Sequence, residues 1–161
     1  MTTYKIAVIA GDGIGLEVVP AAIDVLQIAA KKHGGFALEF TETGWGCDYY
    51  LKHGRMMDAD GIERLKGYDA IFLGAIGAPT VSDAISAREL LLPLRQRLGQ
   101  YVNLRPMRLL PGIATPLANR GPADIDMICV RENSEGEYAG AGFRRGQGTA
   151  TDRAEIGRAH V

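Results

Sequence analysis

Tyr4-Lys5-Ile6-Ala7-Val8-Ile9-Ala10-Gly11-Asp12-Gly13-Ile14-Gly15 is the stretch that decides the fold. Residues 4–10 are a short apolar, β-branched run, the texture of a strand buried on both faces. Glycines end the run. Behind them Leu16, Val19, Ile23, Leu26 and Ala30 fall on one helical stripe, with Pro20 in the first turn and Gly34-Gly35 past the end. The turn is neither of two common phosphate loops: Leu16 stands where the third glycine of GxGxxG belongs, and no GK[ST] follows. What remains is a tight glycine turn at the carboxyl end of a strand, where α/β sheets tend to bind ligands. As a bare pattern it fits a purely structural turn equally well.

Working outward, Phe36, Leu38 and Phe40 alternate with Ala37, Glu39 and Thr41 as a second strand. Asp58 is placed to cap a short helix holding Ile62 and Leu65, and Ala70-Ile71-Phe72-Leu73-Gly74 reads as the next buried strand. Strands alternating with helices at this spacing predict an α/β fold, a parallel sheet with right-handed crossovers. A helix is predicted from Ser82 to Leu98, broken or kinked by Pro93. Beyond residue 100 the texture changes to extended segments, 101–105, 107–110 and 126–132, joined by proline- and glycine-bearing loops. Residues 1–99 are therefore read as the first part of one α/β domain, 100–145 as the start of a second, and 146–161 as an irregular tail.

Composition narrows the function. With 161 residues, 47% hydrophobic, 23% charged and net charge −1, the chain is that of a globular protein with no broad electrostatic case for nucleic acid. Its longest uncharged stretch, 70–82, is broken by Gly74, Gly77 and Pro79, short of the roughly 18 apolar residues of a membrane span. Residues 1–10 do not read as a secretory signal, so a cytoplasmic protein with no membrane partner is expected. Cys47 and Cys129 form no CxxC and are expected as buried thiols. Residues 1–83 hold seven basic and eleven acidic side chains, whereas 84–161 hold eleven basic ones, all Arg, and eight acidic. The planar fork of Arg matches carboxylate or phosphate in two hydrogen bonds. Alternation places Tyr101, Asn103 and Arg105 on one strand face, and Met127, Cys129 and Arg131 on another. With Arg95 on the preceding helix, three arginines on three adjacent elements could converge on one polyanion. Each taken separately is more ordinarily a surface arginine.

Five motifs, in order, carry a family resemblance: Gly11 to Gly15 with Glu17; Gly74 to Pro79; Leu90-Leu91-Leu92-Pro93-Leu94-Arg95; Tyr101-Val102-Asn103-Leu104-Arg105-Pro106; and Val130-Arg131-Glu132-Asn133 through Tyr138-Ala139-Gly140. Together they resemble the β-decarboxylating dehydrogenases, which act on 3-isopropylmalate, isocitrate, tartrate and D-malate. The match spans about residues 4–145 and less than half of a typical member, so the chain reads as an N-terminal fragment with an isopropylmalate-dehydrogenase-like fold.

The resemblance implies oxidation of a (2R)-malate-type acid by NAD with a divalent metal, Mg2+ or Mn2+, then loss of the β-carboxylate. It assigns Arg95, Arg105 and Arg131 to the substrate carboxylates, Tyr138 to general acid catalysis, and Ile14, Ala75, Gly77 and Ala78 to the cofactor's surroundings. Leu91 and Leu92 occupy the segment where isocitrate enzymes place polar Ser and Asn, which disfavours isocitrate. The wording of residues 101–106, 107–112 and 135–138 looks most like tartrate and D-malate dehydrogenases, with 3-isopropylmalate dehydrogenase the alternative. Ala84 and Arg88 depart from that pattern, standing where those enzymes often carry His and an aromatic. The family also implies a homodimer, a catalytic lysine downstream of the tyrosine, and aspartate metal ligands further on. No lysine follows Lys66 and only Asp152 and Glu155 follow Tyr138, so no metal ligand is assigned here and the chain alone is expected to be inactive. Residues 155–161 do not resemble the family's continuation and read like a sequencing adapter translated in frame, which removes His160 as a ligand candidate. A reading from another class is a non-catalytic dicarboxylate-binding module that kept the arginines.

Overall fold

The computed structural model describes residues 1–134 and 138, and the backbone alone of 142–145 and 153–156. The chain divides into two units, Met1–Leu98 and Gly99–Val161.

The first unit follows the predicted alternation. Strand β1 (Thr2–Gly11) leads through the glycine turn into α1 (Gly15–His33), then β2 (Phe36–Glu42), α2 (Cys47–His53), α3 (Gly61–Leu65) and β3 (Ala70–Ala75). The sheet is parallel, in the order β2-β1-β3, with Ile6 opposite Phe40 on one side and Ala70 on the other. As the central strand, β1 buries both faces: Ala7, Val8 and Ile9 are wholly inaccessible. Ala7 and Ile9 join a core with Trp45, Cys47, Met56, Ile62, Leu65, Val81, Leu90 and Leu94. Val8 points to the opposite face.

Helix α1 departs from its predicted stripe. Val19 and Ala30 are buried, but Leu16 and Leu26 are exposed, as are Val18, Val25 and Ile28. A three-stranded sheet is too narrow to cover a helix of 19 residues. Asp58 is also not the predicted cap. Asp60 occupies the N-cap of α3, while the Asp58 carboxylate accepts hydrogen bonds from Trp45 Nε1 at 3.3 Å, from the Tyr49 hydroxyl and from Arg64. Three side-chain donors outcompete a helix end.

Pro93 acts as predicted, by a specific device. Ser82 caps α4 (Asp83–Ser86), accepting the Ala84 amide; a π-helical turn (Ala87–Leu91) follows, and α5 (Leu92–Arg97) restarts with proline in its first turn. The Leu92 amide reaches Ala87 O, five residues back. Proline lacks an N–H and its ring collides with the preceding turn's carbonyl, so the widened turn carries the chain past it.

Among the described residues the second unit holds two antiparallel pairs, β4 (Val102–Arg108) with β5 (Asp126–Glu132), and β6 (Gly142–Arg145) with β7 (Arg153–Ile156). Residues 153–156, predicted as irregular tail, thus find ladder partners for their backbone groups. Residues 135–137, 139–141, 146–152 and 157–161, with the motif and tail readings that fall on them, lie outside the described residues. On β4–β5, Val102, Leu104, Ile128 and Val130 form an exposed apolar face. Cys129 is exposed too, contrary to the expectation of a buried thiol: on its face of the two-stranded ribbon only Asn103 and Arg131 are partly covered among the described residues.

Candidate active site

The glycine turn packs against the segment after β3. The Asp12 amide donates to Ala75 O at 2.7 Å, and a Cβ added at Gly11 would sit 2.1 Å from that same oxygen. Gly15 is equally confined, with Ala10 O 2.1 Å from the site of an added Cβ. These glycines let two backbones meet. Gly13 and Gly77 differ, since an added Cβ at either meets nothing within 4 Å. Their open sides, with Ile14 59% exposed, leave bare backbone and an apolar side chain beside solvent. An open cavity of about 470 Å³ lined by Gly77, Ala78, Pro79, Val81, Ser82 and Asp83 continues from Gly77. Of the residues predicted for a cofactor, Gly77 and Ala78 line this cavity, and Ala75 abuts the glycine turn that bears Ile14.

Asp12 was quoted in the sequence only as part of the turn. The residue is 6% exposed, and its carboxylate accepts the Cys47 amide on Oδ1 at 2.7 Å and the Gly77 amide on Oδ2 at 2.9 Å. Burial, then the hydrogen bond and charge of Asp12, push the Cys47 thiol up to about 11. Only the position of an acid between two glycines could have hinted at this, since its partners lie 35 and 65 residues away.

In the same unit, Leu91 ends the π-helical turn and Leu92 opens α5, both half-buried, with Arg95 one turn further along α5. In the second unit, Asn103 stands opposite Arg131 and Arg105 opposite Cys129, so Arg105 and Arg131 share one face of the β4–β5 ribbon. The Arg131 Nη2 donates to the Tyr138 hydroxyl, and its guanidinium lies 4.7 Å from the centre of the Tyr138 ring. A phenol that accepts from a guanidinium keeps its own O–H as donor. Asn133 is buried beside these residues in sequence, with its Oδ1 unpartnered among the described residues. Among the described residues no three His, Cys, Asp or Glu side chains gather as a metal site.

The sequence profile described as isocitrate/isopropylmalate dehydrogenase matches residues 5–158, and the chain belongs to that family. Its parallel-sheet α/β fold is the family's: an isocitrate dehydrogenase from Methylococcus capsulatus superposes with a TM-score of 0.70 at 26% identity, over 98% of this chain and 43% of that one. Among curated relatives, a probable tartrate dehydrogenase/decarboxylase of Agrobacterium vitis is 52% identical over 148 residues, 92% of this chain and 41% of the relative. The decarboxylating D-malate dehydrogenase of Escherichia coli K12 is 53% identical over 151 residues, 92% of this chain and 42% of the relative. A tartrate dehydrogenase/decarboxylase of Pseudomonas putida is 55% identical over 142 residues, 87% of this chain and 39% of the relative. The chain therefore spans about two-fifths of the length of these relatives.

Proposed function

We propose that the complete protein containing this chain is an NAD- and divalent-metal-dependent dehydrogenase that oxidatively decarboxylates a (2R)-malate-type acid, D-malate or tartrate. The observation that carries this reading is the contact of Arg131 with Tyr138 on the ribbon that also bears Arg105. It sets a proton-bearing phenol against a cation suited to carboxylate. The relatives named for tartrate and D-malate support the substrate class.

In this reading Arg105 and Arg131, on one face of the β4–β5 ribbon, hold carboxylate of the acid by charge-assisted hydrogen bonds, and Arg95 is given the same role by the family resemblance alone. Leu91 and Leu92, half-buried where isocitrate enzymes place polar Ser and Asn by the family resemblance, disfavour a third carboxylate. Gly13, Ile14, Ala75, Gly77 and Ala78 receive the dinucleotide, which when bound supplies the acceptor for the hydride. Tyr138 holds a proton at its phenol oxygen and delivers it to the carbon left as carbon dioxide departs. The divalent ion, Mg2+ or Mn2+, finds no ligand cluster among the described residues. The assembly is proposed as a cytoplasmic homodimer, and the 161-residue chain alone as inactive.

The test is a steady-state assay of the complete protein with NAD, NADP, Mg2+ and Mn2+ against D-malate, tartrate, isocitrate and 3-isopropylmalate. Reduced dinucleotide and carbon dioxide should appear together with D-malate or tartrate. A preference for isocitrate, or dicarboxylate binding with no dinucleotide reduction under any condition, rejects the proposal.

A further inference from the structure

The carboxylate of Asp12 joins three segments that are far apart in the chain. Its own backbone belongs to the turn after β1, where the Gly15 amide donates to Asp12 O at 2.9 Å and the Asp12 amide donates to Ala75 O. One carboxylate oxygen takes the amide at the start of α2, and the other takes the amide of Gly77. Gly46 comes so close that a Cβ there would lie 2.7 Å from Asp12 Oδ1. Among the described residues Asp12 makes no ion pair, so two backbone amides, joined by the Cys47 thiol, are what satisfy this buried acid. Hydrogen bonds from N–H groups to a charged oxygen are short and strong, and two of them fix an acceptor in both distance and direction. Gly77 needs such a fixture. Its φ of +136° lies where side-chain-bearing residues rarely go, and its other side is open, so neither sterics nor packing holds it.

We propose that Asp12 is a positioning residue for the dinucleotide: without touching it, Asp12 holds the Gly77 amide and hence the Ala75–Ala78 turn in the geometry that receives the cofactor. This deepens the reading above and rests on its placement of the cofactor at that turn. The carboxylate also ties the turn to α2, so the cradle is anchored to the core that Cys47 belongs to. Asparagine at position 12 keeps the shape but offers one oxygen where two amides need one each, and turns an N–H2 donor toward the other amide. Alanine offers neither.

The experiment compares the complete protein with its Asp12→Asn and Asp12→Ala variants, measuring dissociation constants for NAD and for D-malate separately. The expected result is a graded loss confined to NAD: roughly tenfold weaker for Asp12→Asn, more for Asp12→Ala, with D-malate affinity within twofold of the parent. Equal NAD affinity in all three proteins, or parallel losses for NAD and D-malate, overturns the positioning role while leaving the dinucleotide reading intact. If the parent itself shows no saturable NAD binding, the dinucleotide reading fails, and the inference with it. Amide hydrogen exchange in the parent keeps the question open to test should the variants not fold. The Gly77 amide should exchange slowly in the absence of NAD, and fast exchange there overturns the proposal.

Discussion

The Arg131 guanidinium stacks 4.7 Å from the centre of the Tyr138 ring while also donating to its hydroxyl, two contacts that a planar cation makes at once and an ammonium does not. Tyr138→Phe should keep the stack and lose the proton. In the complete protein kcat is expected to fall about 10²- to 10⁴-fold, the range for a general acid, with the affinity for D-malate little changed. A kcat within twofold of the parent would dismiss the acid role.

Arg131→Lys tests the other partner. Lysine keeps the charge but has neither the fork nor the flat face, so both the grip on substrate and the orientation of Tyr138 should suffer. KM for D-malate should rise and kcat should fall in the same variant. A rise in KM alone would mean that Arg131 binds substrate without orienting the phenol.

The two thiols should separate cleanly. Cys129 is exposed, whereas Cys47 is buried and its thiol is pushed up to about 11, so at pH 8 only about one Cys47 in a thousand is thiolate. One thiol per native chain should react promptly with an aromatic disulfide, and the second only after denaturation. The Cys129→Ser variant should be almost silent when native. Two prompt thiols would contradict the burial of Cys47.

Asp58 gives the fold a dependence on acid. The Tyr49 hydroxyl foremost, then Trp45 and Arg64, hold its carboxyl below the ordinary 3.8. A carboxyl lowered on folding stabilises the fold fully above its unfolded value and loses that contribution as pH falls through the folded one. Asp58→Asn should therefore cost roughly 1 kcal/mol at pH 7, and the gap from the parent should shrink below about pH 4. Urea unfolding of both proteins at several pH values measures this. A gap that is constant with pH would assign the loss to shape rather than charge.

The glycines should sort by their surroundings. Gly15→Ala drives a methyl into Ala10 O and should abolish folding or lower the melting temperature steeply. Gly13→Ala, at φ +50° with open space around it, should cost only about 1 kcal/mol. Thermal unfolding of the two variants side by side decides it, and equal losses would contradict the close approach at Gly15.

Much of the first unit was legible in the sequence because its signals are local. The run Ile6 to Ala10 has no polar residue to expose, and Gly11 to Gly15 cannot continue a strand, so β1 and its turn could be read directly. Features decided by distant neighbours were not. Leu16 is apolar and in phase with the stripe, yet exposed, because periodicity says which side of a helix is apolar and not how wide a sheet lies beneath it. Asp58 precedes a helix, as a cap should, but its partners Trp45 and Tyr49 are set by packing that no short window contains. Alternation gave Arg105 and Arg131 each a face of its own strand, which held because β4 and β5 pair without a bulge, but that the two faces are one is decided by the register between the strands. The double grip of Asp12 was invisible, since a sequence shows an acid's position and not the two amides that reach it.

The placement of β1 between two parallel neighbours also has a mechanical meaning. Pulling on Met1 along the strand loads the ladders to β2 and β3 in shear together, so many backbone bonds must fail at once. By contrast, β4 and β5 run antiparallel, and tension that parts them at one end can open their bonds in succession. The same chain thus carries one seam built to resist a tug and another that can be unzipped.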